Sequence, residues 1–138
     1  MSEYLIKCLI AVPALAAGLA AFLSMMSLYG KPPDPQRDLT RLKTFHKTSG
    51  WIFIVLLVPL SALGADILAK QGDGLPMRGV IHVVLAVTLW VLLLQKVLVV
   101  RFYKQYLKQA QTLGIAIFDV TLVIVLITAG YFLLHGGR

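Results

Sequence analysis

Only one of the 138 residues is a cysteine, Cys8, and only six are Asp or Glu. A lone cysteine leaves no internal disulfide framework and no paired-thiol redox centre. Charged residues of both signs amount to 14% of the chain, where a soluble domain has about a quarter. An ordinary soluble enzyme is therefore excluded. His-Glu-x-x-His, a phosphate-binding loop and Gly-x-Ser-x-Gly are all missing, and with them the chemistries those motifs serve. No internal repeat or low-complexity tract stands out. Nor do aromatic residues interleave with basic ones as on a nucleic-acid-binding surface, so nucleic acid is not an expected partner.

What the chain has instead is apolar sequence, 59% of its residues. That much Leu, Val, Ile and Ala excludes a disordered tail. A hydrocarbon core roughly 30 Å thick needs about 20 mostly apolar helical residues to cross it. Four runs meet that length, at 4–29, 50–69, 79–100 and 113–134. None alternates as a membrane strand does. The expected fold is an all-α integral membrane protein. Its single domain is a bundle of four transmembrane helices at about 4–29, 46–70, 79–102 and 110–135. Little sequence lies outside the spans, so peripheral chemistry is expected to come from another polypeptide.

The first run is too long for the roughly 7–15 apolar residues of a secretory signal and is read as a retained helix. Ala14, Gly18 and Phe22, with Ala17 and Ala21 beside them, place small residues four apart. Such a face packs closely against another helix, in this chain or in a partner. Lys31-Pro32-Pro33-Asp34-Pro35 forms a stiff, non-helical exit from it. Residues 38–47 are expected to begin the second helix before it enters the bilayer, with Asp38 or Thr40 as cap. Gly72, Asp73, Gly74 and Pro76 mark a tight turn.

The face of the first and third connections carries eight basic residues: Lys31, Arg37, Arg41, Lys43, Lys47, Arg101, Lys104 and Lys108. The opposite face has four, Lys7, Lys70, Arg78 and Arg138. The excess marks the first face as cytoplasmic, with both termini outside, in what is read as a bacterial inner (plasma) membrane. Most of the net charge of +7 then serves anchoring on anionic lipid.

Ionisable groups at membrane depth point to function. At 1.5 Å per residue, Asp66 lies roughly 9 Å and His82 roughly 12 Å from mid-membrane towards the outer face. Their similar height on consecutive helices suggests a carboxylate fixing an imidazole that serves metal, quinone or proton. Lys96 and Asp119 lie roughly 9 and 8 Å towards the other face, where opposite charges can neutralise one another. His46 sits at the cytoplasmic mouth of the second helix. His82 and His135 are near the outer face, within about a turn of equal depth, as two axial ligands of a haem iron require.

Phe45-His46-Lys47-Thr48-Ser49-Gly50-Trp51 is similar to the His-x-x-x-Gly-Trp start of haem-bearing helices in the cytochrome b561 and ferric-reductase-like families. Arg78-Gly79-Val80-Ile81-His82, running on to Lys96 and to Val99-Val100-Arg101, resembles the next helix of small members of that group. The resemblance covers helices two to four. It implies a b-type cytochrome, with ligand roles carried to His46 and His82. In that group a second histidine often follows about four turns later; here Leu60 and Lys96 stand fourteen residues after His46 and His82. One self-ligated haem b is therefore the most this chain would hold, through His82 and His135, with Lys96 free to pair a propionate. A ligand donated by a partner subunit and a lost haem are the other ways to account for the departure.

The expected function is membrane electron transfer: a b-type cytochrome subunit of an oxidoreductase complex, exchanging electrons between quinol and a redox partner. Membrane or peripheral redox subunits and lipid are its expected partners. The alternative is a haem-free anchor subunit of a respiratory or photosynthetic complex, with Asp66 and His82 forming a quinone pocket or proton relay. A purely structural anchor, with that pair as a polar lock between helices, is the third reading.

Overall fold

A computed structural model describes residues 3–29, 38–131 and 134. Four long helices make up almost all of it: α1 (Glu3–Leu28), α2 (Leu39–Gln71), α3 (Met77–Arg101) and α4 (Leu107–Val125). A π-helical segment, Leu126–Gly130, continues α4. No strand occurs among the described residues. Each of the four is long and apolar enough to cross a membrane. In lipid a backbone must satisfy its own hydrogen bonds, and these runs do so as helices.

As the expected cap implies, α2 starts at Leu39, ahead of its apolar span: the Asp38 carboxylate accepts a hydrogen bond from the Arg41 N–H at 2.9 Å. Its 33 residues span about 50 Å, well beyond a hydrocarbon core, so its first turns stand clear of the apolar layer. The helix ends at Gly72, whose φ of +51° lies in the left-handed region, where glycine carries no Cβ penalty. A 3₁₀ turn, Gly72–Gly74, then leads towards α3. Helix α4 was expected to run unbroken, but the π segment widens its last turns, a feature frequent at functional sites.

Around the bundle the order is α2, α1, α4, α3. Helix α1 packs along α2, α3 packs along α4, and α1 also lies against α4. The small-residue face of α1 makes the first contact: Ala14 is buried, and Phe53 ring carbons lie 3.4 Å from where a Cβ on Gly18 would stand. A larger side chain there would hold the two helices apart. Helices α2 and α3, though consecutive, scarcely approach one another along their backbones. They are tied by a hydrogen bond from Trp90 Nε1–H to Ser61 Oγ, 2.9 Å long.

The core is Phe53, Leu57, Leu89, Leu93 and Ile117. Its members come from α2, α3 and α4, so this cluster closes the bundle. Elsewhere the large apolar side chains face outward, among them Leu9, Val55, Val84, Leu94 and Leu126. An apolar exterior is what a protein solvated by lipid tails presents. Hydroxyls inside the spans are satisfied by their own helix, as with Thr121 Oγ1 to the Ile117 carbonyl at 2.7 Å. Leu89, at 2% exposure, is the most enclosed large side chain. Leu89→Ala should cost about 2–4 kcal/mol through the cavity left behind, read as a lowered thermal unfolding midpoint in detergent.

Candidate functional site

The early start of α2 gives His46 a rigid helical position, and the close fit of α1 brings it a partner. His46 Nδ1 lies 2.8 Å from the Ala21 carbonyl oxygen and 3.3 Å from Ser24 Oγ. The Ser24 hydroxyl donates to the same carbonyl at 2.8 Å. A carbonyl can only accept, so Nδ1 carries the proton and donates it there. That choice of tautomer leaves Nε2 with its lone pair. Ala21 matters for its size, since a bulkier residue on this face would separate the helices that meet here.

Beside His46 the four helices diverge around a partly open crevice of about 860 Å³. Phe22 of α1 and Phe118 of α4 stack in it, centroids 4.6 Å apart and planes 15° from parallel. Trp51 lines the α2 wall and Lys96 the α3 wall. Lys96 reaches across to α4: its Nζ lies 3.0 Å from where a Cβ on Gly114 would be, and Met25 Sδ lies 3.2 Å from that point. Glycine at 114 is thus what makes room for the ammonium. Lys47, Arg101 and Lys104 also line the crevice, and no acidic residue does among the described ones. The walls are apolar and aromatic, while every charge is positive.

The remaining expected site residues are dispersed. Asp66 does not hold His82. Its Oδ2 accepts from Lys70 Nζ at 2.6 Å, one turn along the same helix and exposed. The pairing fails because consecutive α2 and α3 are not close neighbours, so similar depth does not bring their side chains together. His82 stands at the opposite end of the bundle from His46, and its buried Nδ1 has no hydrogen-bond partner among the described residues. One turn away, the Arg78 guanidinium lies 3.5 Å over the Tyr131 ring centroid. His135 lies outside the described residues.

Lys96 and Asp119 form no ion pair either. Lys96 turns into the crevice, whereas Asp119 is exposed on the outer face of α4. Of the sequence-derived candidates, the structure brings His46 and Lys96 to one place. Sequence reasoning missed Ser24 and Gly114 altogether. The α1 small-residue face was the one available signal, but it names no partner helix. No three His, Cys, Asp or Glu side chains gather among the described residues, so the donor set does not suit a bare metal ion held by protein alone.

With Asp66 bound only to an exposed neighbour, Asp66→Asn should lower stability by no more than about 0.5 kcal/mol. Thermal unfolding in detergent reads this directly, and a much larger loss would show a buried role for the carboxylate.

No curated protein and no solved structure matches the chain. One family's sequence profile does, over residues 1–137. The chain thus belongs to the family of unknown function DUF6529.

Proposed function

We propose that this chain is a membrane-embedded electron-transfer subunit whose redox group, a haem b, sits in the His46 crevice. The observation that carries this reading is the His46 imidazole. Its Nδ1–H is tied to a backbone carbonyl, as metal-bound histidines usually are, which fixes the ring and raises the basicity of Nε2. The crevice suits the rest of such a group. Phe22, Phe118 and Trp51 offer apolar surface to a planar macrocycle, and the basic side chains offer counter-charge to its carboxylates. The resemblance of His46 and Gly50-Trp51 to haem-bearing helix starts points the same way.

When bound, haem supplies one-electron chemistry, tuned by axial ligation and by the dielectric of its surroundings. The chain's own residues have simpler tasks. Ser24 and Ala21 hold the imidazole in one tautomer, Gly114 admits the Lys96 ammonium, and the aromatic walls exclude water. Electrons would pass between a quinol and a redox partner at one membrane face. The excess of basic residues at the end of the first and third connections supports a cytoplasmic setting for that end, with both termini outside. A bacterial plasma membrane fits this charge pattern, with membrane or peripheral redox subunits as partners.

The crevice also favours a second reading. Among the described residues its lining includes the His46 imidazole and the Lys96 ammonium, a pair of groups suited to the two oxygens of a quinone head group. On that reading the chain is a haem-free anchor subunit contributing a quinone site. The earlier assignment of His82 with His135 as axial pair would instead put a haem at the opposite end.

A reduced-minus-oxidised absorption spectrum with pyridine haemochrome quantitation, on the full chain in detergent, separates these readings. A b-type α-band at about one haem per chain is the expected result. His46→Ala should abolish it, and His82→Ala should leave it intact. Loss on His82→Ala alone would move the site to the opposite end. A colourless protein that binds a quinone analogue through His46 would establish the second reading.

A further inference from the structure

Among the described residues, no acidic side chain lines the crevice. Asp38 caps α2, and Asp66 is paired with Lys70. Asp73 lies in the turn at the far end of the bundle, where α1 also begins with Glu3. Asp119 is exposed on the outer face of α4. Asp34 lies outside the described residues, and Lys96 forms no ion pair among the described ones. The crevice is thus lined by Lys47, Lys96, Arg101 and Lys104, with no carboxylate among the described residues to balance them.

Lys96 is the informative one. Lys47, Arg101 and Lys104 are exposed, where water and lipid head groups can solvate them. Lys96 lies five residues inside the end of α3, about 7.5 Å from it. A flexible stem could carry its ammonium outward to the interface. Instead Nζ crosses to α4 and settles at Gly114 beside Met25. An ammonium among apolar walls is costly unless it meets an opposite charge and hydrogen-bond acceptors. Among the described residues no carboxylate stands beside it in the crevice.

We infer that the crevice binds an amphiphile with an anionic head and an apolar body, its carboxylate or phosphate paired with Lys96. This rests on the crevice being the ligand site, as in the proposal above, but not on the ligand being redox-active. The apolar body would lie along Phe22, Phe118 and Trp51. Two sources share this chemistry: a propionate of haem and the phosphate of a bilayer phospholipid. Basic pockets between transmembrane helices are known to take lipid head groups, and charge-assisted bonds to either anion are of similar strength.

The test uses the full chain in detergent, with native mass spectrometry to count retained ligands. Wild-type protein is exchanged into phosphatidylglycerol or phosphatidylcholine, and separately offered haem or haem dimethyl ester. At least one anionic member of these pairs should be retained about tenfold better than its uncharged or zwitterionic counterpart, the size expected for one hydrogen bond to a charged group. Lys96→Gln should remove that preference and Lys96→Arg should restore part of it. Lys108→Gln, which deletes a charge outside the crevice, should leave it unchanged. Gly114→Ala, by crowding Nζ, should weaken it.

Preference for haem over its ester assigns the anion to propionate, and preference for phosphatidylglycerol assigns it to phosphate. Equal retention within both pairs by the wild-type protein would overturn the inference, whether or not any variant folds. Loss of preference in Lys108→Gln as well as Lys96→Gln would overturn it too, by showing bulk charge at work. Absence of haem with an intact phosphatidylglycerol preference would end the haem reading and leave this inference standing.

Discussion

Everything distinctive about this bundle follows from how closely α1 can approach α2. Lipid tails are as apolar as leucine, so burial alone gives membrane helices little reason to associate, and fit decides instead. Ala14 and Gly18 bring the α1 backbone down onto Phe53. The same approach, carried towards the basic end, sets the Ala21 carbonyl within hydrogen-bonding distance of His46. A structural contact thereby becomes a chemical one. With α1 occupying α2 on one side, α3 is left to α4, and the gap between the two pairs widens into the crevice. The Trp90–Ser61 bond bridges the pairs away from that opening.

Electrostatics add a second constraint. The chain carries 13 basic residues against six acidic ones, and most of the surplus sits where lipid head groups can meet it. Lys96 is the exception, because its ammonium is held inside by the absence of a side chain at Gly114. A positive charge kept away from head groups, among aromatic walls, gives the crevice a preference that size alone could not. His46 adds an imidazole of fixed tautomer to the same space. The far end of the bundle is chemically different, with His82 and the Arg78–Tyr131 contact next to a π-helical turn.

Much of the fold was legible from residues alone. The four spans were evident because length and apolarity are one-dimensional properties and the bilayer imposes its thickness on them. The Asp38 cap and the Gly72 turn were legible too, since both depend on groups within a few residues. The start of α2 ahead of the bilayer was legible as well, because Asp38 supplies the cap while the polar residues before Gly50 mark only the edge of the apolar layer. Helix and membrane boundaries are separate quantities, and only the second follows hydropathy.

The candidate site was legible only in fragments. Depth along a helix can be counted from sequence, so His46, Asp66, His82, Lys96 and Asp119 were all singled out. Azimuth and neighbour could not be counted, and both pairings built on depth alone, Asp66–His82 and Lys96–Asp119, failed for that reason. Sequence by itself determined that this is a four-span membrane protein, which end is basic, and that its ionisable groups inside the spans are few. Tertiary structure alone decided that α1 and α4 pack against each other, keep α2 and α3 apart, and complete the walls around His46 and Lys96. That choice depends on side-chain shape across helix interfaces, at Gly18 against Phe53 and Gly114 against Lys96. Such complementarity is a property of pairs of distant residues, which no local pattern encodes.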